Sequence, residues 1–203
     1  MGKWHLGSLP DGFDYWRILP GQGAYFNPDF IEKGNDTARI PGYTTDIITD
    51  QSVNWLQHRD TSKPFFFLVV GHKATHREWF PDIQDLGAYD NVKFPLPPTF
   101  YDDYKGRVAA ANQDMTVDKT MRLAEDLKVH IDWQRKTGLF GRLSPEQRSA
   151  YQMYYEGKVS REFDSLKLSG KALVEWKFQR YLKDYLATAN SLDRNIGRLL
   201  EYG

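Results

Sequence analysis

Two short clusters of basic side chains in this sequence could act on an anionic substrate. The first is Lys3 and His5, which lie two residues apart and therefore on the same side of an extended chain. In that arrangement Lys3 could hold an anion while His5 moves a proton on the same molecule. The alternative is a solvent-exposed terminus on which both residues are ordinary polar groups.

The second cluster is His72, Lys73 and His76, and it directly follows an apolar run at residues 65–70. Ligand sites of α/β sheets lie just beyond the carboxyl ends of the strands. Two imidazoles and an ammonium group at such a place are typical of an anion-binding or acid–base site, although a solvated loop would look the same. Neither cluster has a carboxylate in a familiar ligand spacing, so no metal ligand is predicted.

A glycine on each side of Gln22 suggests a third contribution to such a site. Gly21 and Gly23 would let the backbone or the Gln22 amide approach a ligand closely. A plain turn is the alternative for this stretch, since glycine is also a common turn residue.

Composition excludes several classes of function. The 203 residues include no cysteine, so disulfides and thiolate metal sites are excluded within the chain. Lys and Arg number 27, as do Asp and Glu, which leaves no electrostatic case for binding nucleic acid. No apolar run approaches the roughly 20 residues that span a bilayer. The first residues carry no signal-peptide core, so an exported parent would have its signal upstream.

The hydrophobic pattern predicts an α/β fold with few strands in this chain. Residues 1–42 are rich in glycine and proline and are predicted to form a long ordered loop region. A helix is predicted from residue 44 or 45 to about His58, followed by a buried central strand at residues 65–70. Because such a strand needs neighbours on both sides, its partners are either weak strands or lie outside the chain.

The second half of the chain is predicted to be loops and helices. Residues 72–106 are predicted to be loop, and residues 115–129 to be a helix. Ser144 has the features of a helix N-cap, with Pro at the next position and Gln three residues later, and this helix is predicted to end near Gly157. The strongest helical period runs from about residue 170 to residue 200.

In this order, the segments resemble the type I, formylglycine-dependent sulfatases of the alkaline-phosphatase-like superfamily. The sequence GKWHLG at residues 2–7 matches the second signature of that family, and GFDYW at residues 12–16 is similar to the segment after it. The run PFFFLVV at residues 64–70, followed by HKATH at residues 72–76, resembles the family's aromatic strand and histidine loop. The sequence ANSLDRNIGRLL at residues 189–200 resembles the helix that precedes the family's metal-binding Asp-Asn strand.

The resemblance implies a partial α/β sandwich of the alkaline-phosphatase and sulfatase type, mostly helices and long loops with few sheet strands. Residues 1–203 would be the central part of the catalytic domain. The nucleophile motif and first metal ligands would lie upstream, and the second pair of metal ligands downstream. The parent would be an exported protein, periplasmic, secreted or lysosomal, and the fragment alone would be inactive.

The resemblance also implies a sulfuric ester hydrolase with particular residue roles. The parent would use a formylglycine nucleophile and a Ca²⁺ ion whose ligands lie outside this chain. Lys3 would bind the sulfate oxygens, His5 would act on the formylglycine hydroxyls, and His76 would protonate the leaving oxygen. The remaining predicted substrate-binding residues are Gln22, His72 and Lys73.

Two further segments indicate a branch of the family. LPGQG at residues 19–23 and PPTFYDDY at residues 97–104 most resemble the branch that acts on 6-sulfated N-acetylglucosamine in glycosaminoglycans. The predicted partner is therefore a sulfated carbohydrate. Two alternatives stay open: a phosphodiesterase or phosphonate hydrolase of the same superfamily, and a non-catalytic carbohydrate-binding pseudoenzyme.

Overall fold

A small sheet occupies the first 39 residues of the chain, in a computed structural model that describes residues 1–202. The strands are β1 (Gly2–Lys3), β2 (Arg17–Leu19), β3 (Asp29–Glu32) and β4 (Thr37–Arg39), in that spatial order. β1 pairs parallel with β2, and the other neighbours are antiparallel. The predicted loop region therefore contains strands, and they escaped prediction because two to four residues are too few to show an alternating pattern.

Five α-helices make up most of the regular structure. They are α1 (Thr44–His58), α2 (Val108–Asn112), α3 (Pro145–Tyr154), α4 (Arg161–Leu166) and α5 (Gly170–Tyr202). The predicted extents of α1 and α5 are confirmed, but the fully buried side chains of α5 are mostly polar or charged, among them Arg180, Asp184 and Asn195. None of the helices described within residues 1–202 has both the length and the apolar character that a bilayer crossing requires.

Helix α3 begins as predicted but does not end near Gly157. Ser144 accepts a hydrogen bond from the Gln147 amide, and the Gln147 side chain accepts one from the Ser144 amide, which forms a capping box. After Tyr154 the chain continues through one π-helical turn, Tyr155–Ser160, into α4. Buried side chains in the π-helical turn keep the chain on the core, so the exposed glycine does not act as a stop.

The helix predicted at residues 115–129 is wrong. This segment forms a series of turns, and the nearest helix is the short α2. Asp126 and Lys128 are both fully buried, and Lys128 has a left-handed backbone with φ of 57°. A helix cannot include such a residue, because left-handed backbone breaks the hydrogen-bond ladder. Burial of these two charges outweighs helical propensity here.

The buried strand predicted at residues 65–70 is also wrong. The run is exposed, with Phe65 at 93% and Phe67 at 77% of full accessibility. Its carboxyl end pairs with the first residues of the chain, because the Met1 amino group donates to the Val69 carbonyl at 2.8 Å. Within residues 1–202, no strand pairs with its other edge. Phe66 lies against Trp55 of α1, so this run is covered on one side only.

An aromatic core supports the second half of the fold. Tyr151 and Tyr155 stack with parallel rings at 5.9 Å, and Trp133 stacks on Tyr155 at 5.9 Å. Phe80 packs edge-on against Tyr151 at 5.7 Å. Burying each large ring stabilises the fold by roughly 1.5–3 kcal/mol. Because Phe80 is part of this aromatic core, the core also anchors the residues that directly precede Phe80 in the chain.

Candidate active site

Strand β1 and the segment after the exposed run are joined by backbone hydrogen bonds. The Lys3 amide donates to the Gly71 carbonyl at 2.7 Å, and the Gly71 amide donates to the Met1 carbonyl at 2.9 Å. Gly2 has φ of +87°, and a Cβ atom there would lie 2.1 Å from the Gly71 carbonyl oxygen. Only glycine allows this approach. The two basic clusters of the sequence are thereby brought next to each other.

A cavity of about 470 Å³ lies at this junction. Three of the predicted residues, Gln22, Lys73 and His76, are in its wall. Arg77 and Arg142 also line it, and they were missed in the sequence. The volume is within the range of small-molecule sites, roughly 300–1,000 Å³. The cavity therefore has the size for a small ligand, and its charged lining consists of Lys73, Arg77 and Arg142 together with the carboxylates of Asp29 and Glu78.

Lys73 is the buried cation of this cavity, at 7% exposure. Its Nζ atom donates to the Gln22 carbonyl at 3.1 Å and lies 4.8 Å from the centre of the Tyr25 ring. Burial, and then the neighbouring charge of Lys3, lower the pKa of Lys73 to about 8. An ammonium group has three donors, and only one acceptor is found for them among residues 1–202. Lys73 can therefore offer donors and charge to an anion.

His5 reaches the same site through Gln22. The Gln22 Nε2 atom lies 3.0 Å from His5 Nδ1, and both side chains are exposed. This contact ties the end of β1 to the glycine-flanked turn. Lys3 lies close enough to Lys73 for its charge to act on that group, although Lys3 itself lines a neighbouring, more apolar depression.

His76 lies at the exposed rim of the cavity. Its backbone amide donates to the Lys73 carbonyl at 2.9 Å, and its own carbonyl accepts from the Tyr25 hydroxyl. The His76 Nδ1 atom is hydrogen-bonded to the Arg77 carbonyl. A carbonyl can only accept, so Nδ1 carries the hydrogen of this bond, and Nε2 is the ring nitrogen left for a ligand at the rim.

The two arginines of the cavity are already paired with carboxylates. The Arg77 side chain binds both oxygens of buried Asp126, with Nε at 2.7 Å from Oδ1. Arg142 Nη2 lies 2.5 Å from Asp29 Oδ2, and the hydrogen bonds from Arg39 and then from Arg142 hold the pKa of Asp29 far below its usual range. These pairs join residues 49 and 113 positions apart, so no local pattern could have indicated them.

Lys128 anchors the backbone that follows His76. Its Nζ atom donates to the carbonyls of Glu78 at 2.7 Å and Trp79 at 2.9 Å, and it lies 3.2 Å from Asp184 Oδ2. Tyr155 donates to the other oxygen of Asp184 at 3.1 Å. The backbone after His76 is thus fixed by a fully buried charge.

His72 lies apart from its predicted partners. It does not line the cavity, and its two ring nitrogens are buried without a hydrogen-bond partner among residues 1–202. Burial lowers the pKa of His72 to about 4, although the nearby Asp46 acts in the opposite direction. The ring is therefore neutral at neutral pH. Its assignment to substrate binding stays a prediction.

The calcium ion implied by the family resemblance requires several oxygen ligands. Within residues 1–202, no three His, Asp or Glu side chains are grouped so that they could hold a metal ion. The described residues therefore do not fit a calcium site of their own, and no chemistry of a metal ion is assigned to them.

Known proteins are similar to this chain in sequence. The family model described as Sulfatase matches residues 1–202. The chain is 42% identical over 213 residues to an N-acetylglucosamine-6-O-sulfatase of Bacteroides thetaiotaomicron, covering 100% of this chain and 38% of that protein. It is 31% identical over 101 residues to an N-acetylglucosamine-6-sulfatase of Bos taurus, covering 47% of this chain and 18% of that protein.

A solved structure shows the same fold. It is a protein in complex with its substrate D-glucosamine-2-N, 6-O-disulfate, and it matches with a TM-score of 0.91 at 42% sequence identity. The match covers 99% of this chain and 42% of that one, so the chain spans less than half the length of these relatives. The predicted α/β, sulfatase-like fold is confirmed. Family model, sequence identity and fold together show that this chain belongs to the sulfatase family.

Proposed function

We propose that this chain is the central part of a sulfatase catalytic domain, and that the full-length protein hydrolyses the 6-sulfate ester of a glucosamine-type sugar. The observation that carries this proposal is Lys73, a buried ammonium group with a single hydrogen-bond acceptor in the wall of a cavity. The names of the matched relatives support the choice of a sulfated amino sugar as substrate.

Lys73 is suited to hold the sulfate group. A sulfate ester carries its negative charge on three oxygens, and that charge shifts towards the leaving oxygen as the ester breaks. A fixed cation in a poorly solvated site stabilises such charge more than a solvated one. Lys3 adds a second positive charge close by. Both cations are in place before substrate binds, so little reorganisation is needed.

His76 is suited to donate a proton to the leaving sugar oxygen. Its Nδ1 hydrogen is committed to the Arg77 carbonyl, which orients the ring and leaves Nε2 to carry the transferable proton. Lys128 fixes the backbone at Glu78 and Trp79, which follows directly on Arg77. His76 therefore lies on a loop whose position is set by buried contacts.

His5 and Gln22 lie on the other side of Lys73. Gln22 contacts His5 through its amide nitrogen and Lys73 through its backbone carbonyl. Gln22 can therefore hold His5 at a set distance from the bound sulfate, where His5 would act on the formylglycine hydroxyls. A formylglycine and a calcium ion, if present in the remainder of the full-length protein, would supply the attacking hydroxyl and a divalent positive charge. Export of that protein is part of the proposal and rests on the family resemblance.

Sulfate release from N-acetylglucosamine 6-sulfate by the full-length protein tests this function. We expect Lys73→Met and His76→Ala to lower kcat/KM by about 10²–10⁴-fold, the range for a positioned acid or base. Lys63→Met, which removes an exposed lysine outside the cavity, is the matched control and should leave the rate unchanged.

Other outcomes of the same assay separate the alternatives. Hydrolysis of a phosphodiester or a phosphonate ester, without release of sulfate, would replace the proposal with the phosphodiesterase or phosphonate-hydrolase alternative. Binding of the sugar without turnover of any ester would favour a carbohydrate-binding pseudoenzyme. Sulfate release by residues 1–203 alone would refute the proposal that they are only the central part of the domain.

A further inference from the structure

A second cleft, of about 420 Å³, lies where the loop after Tyr89 meets the π-helical turn and helix α5. It shares no lining residue with the cavity around Lys73. We call it the Asp90 cleft, and the lining residues that matter here are Asp90, Lys93, Lys158, Trp176, Arg180 and Lys183.

The Asp90 cleft has more positive than negative groups. Lys158 Nζ lies 2.6 Å from Asp90 Oδ2, Arg180 Nη1 lies 3.5 Å from Asp90 Oδ1, and Lys183 Nζ donates to the Asp90 carbonyl at 2.8 Å. Two cations thus approach the Asp90 carboxylate, of which Arg180 is also paired with Asp184, and a third cation binds the Asp90 backbone carbonyl. Lys93 adds a further exposed cation, and Glu162 is the one other acid of the lining. Crowded like charges favour the binding of an anion.

One buried donor in the wall is unsatisfied. Arg180 is 6% exposed, and its Nε atom has no hydrogen-bond acceptor within residues 1–202. Its other nitrogens bind the Tyr154 hydroxyl at 3.1 Å and the carboxylate of Asp184. Buried donors are nearly always paired in folded proteins, so an unpaired one is unusual. The Nε atom itself has almost no exposed surface, so an acidic ligand in the cleft would act on the Arg180 charge and not as a direct acceptor for Nε.

The cleft is held open by contacts that do not involve a ligand. The Phe94 amide donates to Gln179 Oε1 at 2.9 Å, and Gln179 Nε2 donates back to the Phe94 carbonyl at 2.8 Å. The opposite wall includes Lys158 and Val159 of the π-helical turn, a rare conformation that occurs frequently at functional sites. The walls are therefore preorganised, which lowers the entropic cost of binding.

Trp176 indicates which kind of anion fits. It is half-buried, it lines the cleft, and it is fixed against Phe163 with ring centres 4.8 Å apart. An aromatic surface beside several cations suits a ligand with both an apolar face and acidic groups. We propose that the Asp90 cleft binds a sulfated oligosaccharide, with a sugar ring on Trp176 and sulfate groups on Lys93, Lys158 and Lys183. This binding does not depend on ester hydrolysis at the other cavity.

Calorimetric titration with a heparin-derived tetrasaccharide tests the cleft in the full-length protein. The cleft variant is Lys93→Gln with Lys158→Gln, because both lysines are exposed and their removal leaves the core intact. The control variant is Lys63→Gln with Lys171→Gln, which makes the same charge change at exposed lysines outside the cleft. We expect the cleft variant to bind about tenfold more weakly, from the loss of two charge pairs. The control variant should bind as the wild type does.

Several binding outcomes would count against the cleft as a site for a sulfated saccharide. Equal affinity of the cleft variant and wild type would overturn the proposal, as would equal weakening by the control variant. Binding of desulfated tetrasaccharide, or of a poly-glutamate peptide, as tightly as the sulfated one would also overturn it. Release of sulfate from the monosaccharide is followed in parallel. If that activity is absent while tetrasaccharide binding is lost only in the cleft variant, the proposed hydrolysis fails and the cleft proposal stands.

Discussion

Lys73 and Lys128 are both buried lysines that belong to or contact the loop of residues 72–79, yet their surroundings differ. Lys128 has no exposed side-chain surface and lies within hydrogen-bond distance of three carbonyls and the Asp184 carboxylate. Lys73 has one carbonyl acceptor and the face of the Tyr25 ring, and it borders an open cavity. Burial lowers the pKa of both ammonium groups, but Asp184 opposes this shift at Lys128 whereas Lys3 increases it at Lys73.

The difference separates a structural charge from a functional one. Every hydrogen of the Lys128 ammonium has a protein acceptor, so a ligand could add nothing to it. Lys73 has donors and charge in excess of its protein partners, and this excess is what an anionic substrate can use. Burial of a lysine is therefore insufficient to indicate function, and the number of its acceptors is the informative quantity.

Removal of Lys128 should have the largest effect on stability. Lys128→Met leaves Asp184 buried with less compensation and removes the donor to three carbonyls. We expect a loss of about 3–5 kcal/mol in the free energy of unfolding, as for other broken buried pairs. Urea unfolding measures it, and Lys119→Met at an exposed position is the control. An unchanged urea midpoint would show that Lys128 is not the structural charge described.

His72 is a third basic residue of this region, half-buried with both ring nitrogens buried, and its contribution to stability should depend on pH. Its folded-state pKa is about 4, below the ordinary value of 6.5, so the unfolded chain binds the proton more tightly. The stability it contributes is therefore complete above pH 6.5 and is lost as the pH falls from 6.5 to 4. Across this range we expect a decrease of up to about 3 kcal/mol.

A pair of variants tests the origin of this acid sensitivity. His72→Phe cannot take up the proton, so urea unfolding at pH 6.5 and pH 4.5 should differ less in this variant than in the wild type. His58→Gln, on the exposed end of α1, should keep the wild-type difference. Equal acid sensitivity of His72→Phe and the wild type would exclude His72 as its source.

Removal of Lys73 should have the smallest effect on stability and a large one on binding. Lys73→Met removes a buried charge that forms no salt bridge among the described residues and that Glu78 offsets only in part, so the free energy of unfolding should change by less than about 1 kcal/mol. Affinity for N-acetylglucosamine 6-sulfate should fall by at least about tenfold, the loss of one favourable charge contact. Destabilisation as large as that of Lys128→Met would contradict the distinction between the two lysines.

Local sequence features predicted the parts of the fold that depend on local interactions. The helix α5 and the capping box at Ser144 depend on residues close together in the chain, and both are confirmed, although the side chains that α5 buries are mostly polar. The run at residues 65–70 has the composition of a buried strand, but burial depends on what packs over it, and only one side is covered by α1. Composition alone could not distinguish these cases.

The candidate site, like the fold, was predicted from the sequence only in part. The family resemblance and the anion-binding residue types indicated Gln22, Lys73 and His76, which the fold brings together in one cavity. His72 is adjacent to Lys73 in sequence, but successive side chains of extended backbone point to opposite sides, and its ring is buried without partners. The Asp126 carboxylate that holds Arg77 lies in the segment predicted as helix, so its role depended on a backbone path that the pattern did not show.

Titration of the Lys73 ammonium in the full-length protein tests the central claim most directly. Nuclear magnetic resonance of ¹³C-labelled lysine side chains, assigned with Lys73→Arg, reports its pKa with and without N-acetylglucosamine 6-sulfate. In the free protein the pKa of Lys73 should be about 8. The bound sulfate should raise the pKa of Lys73, because a nearby anion favours the charged form of the ammonium group. If the saturating sugar leaves the pKa of Lys73 unchanged, Lys73 does not hold the sulfate, and the proposed site is wrong.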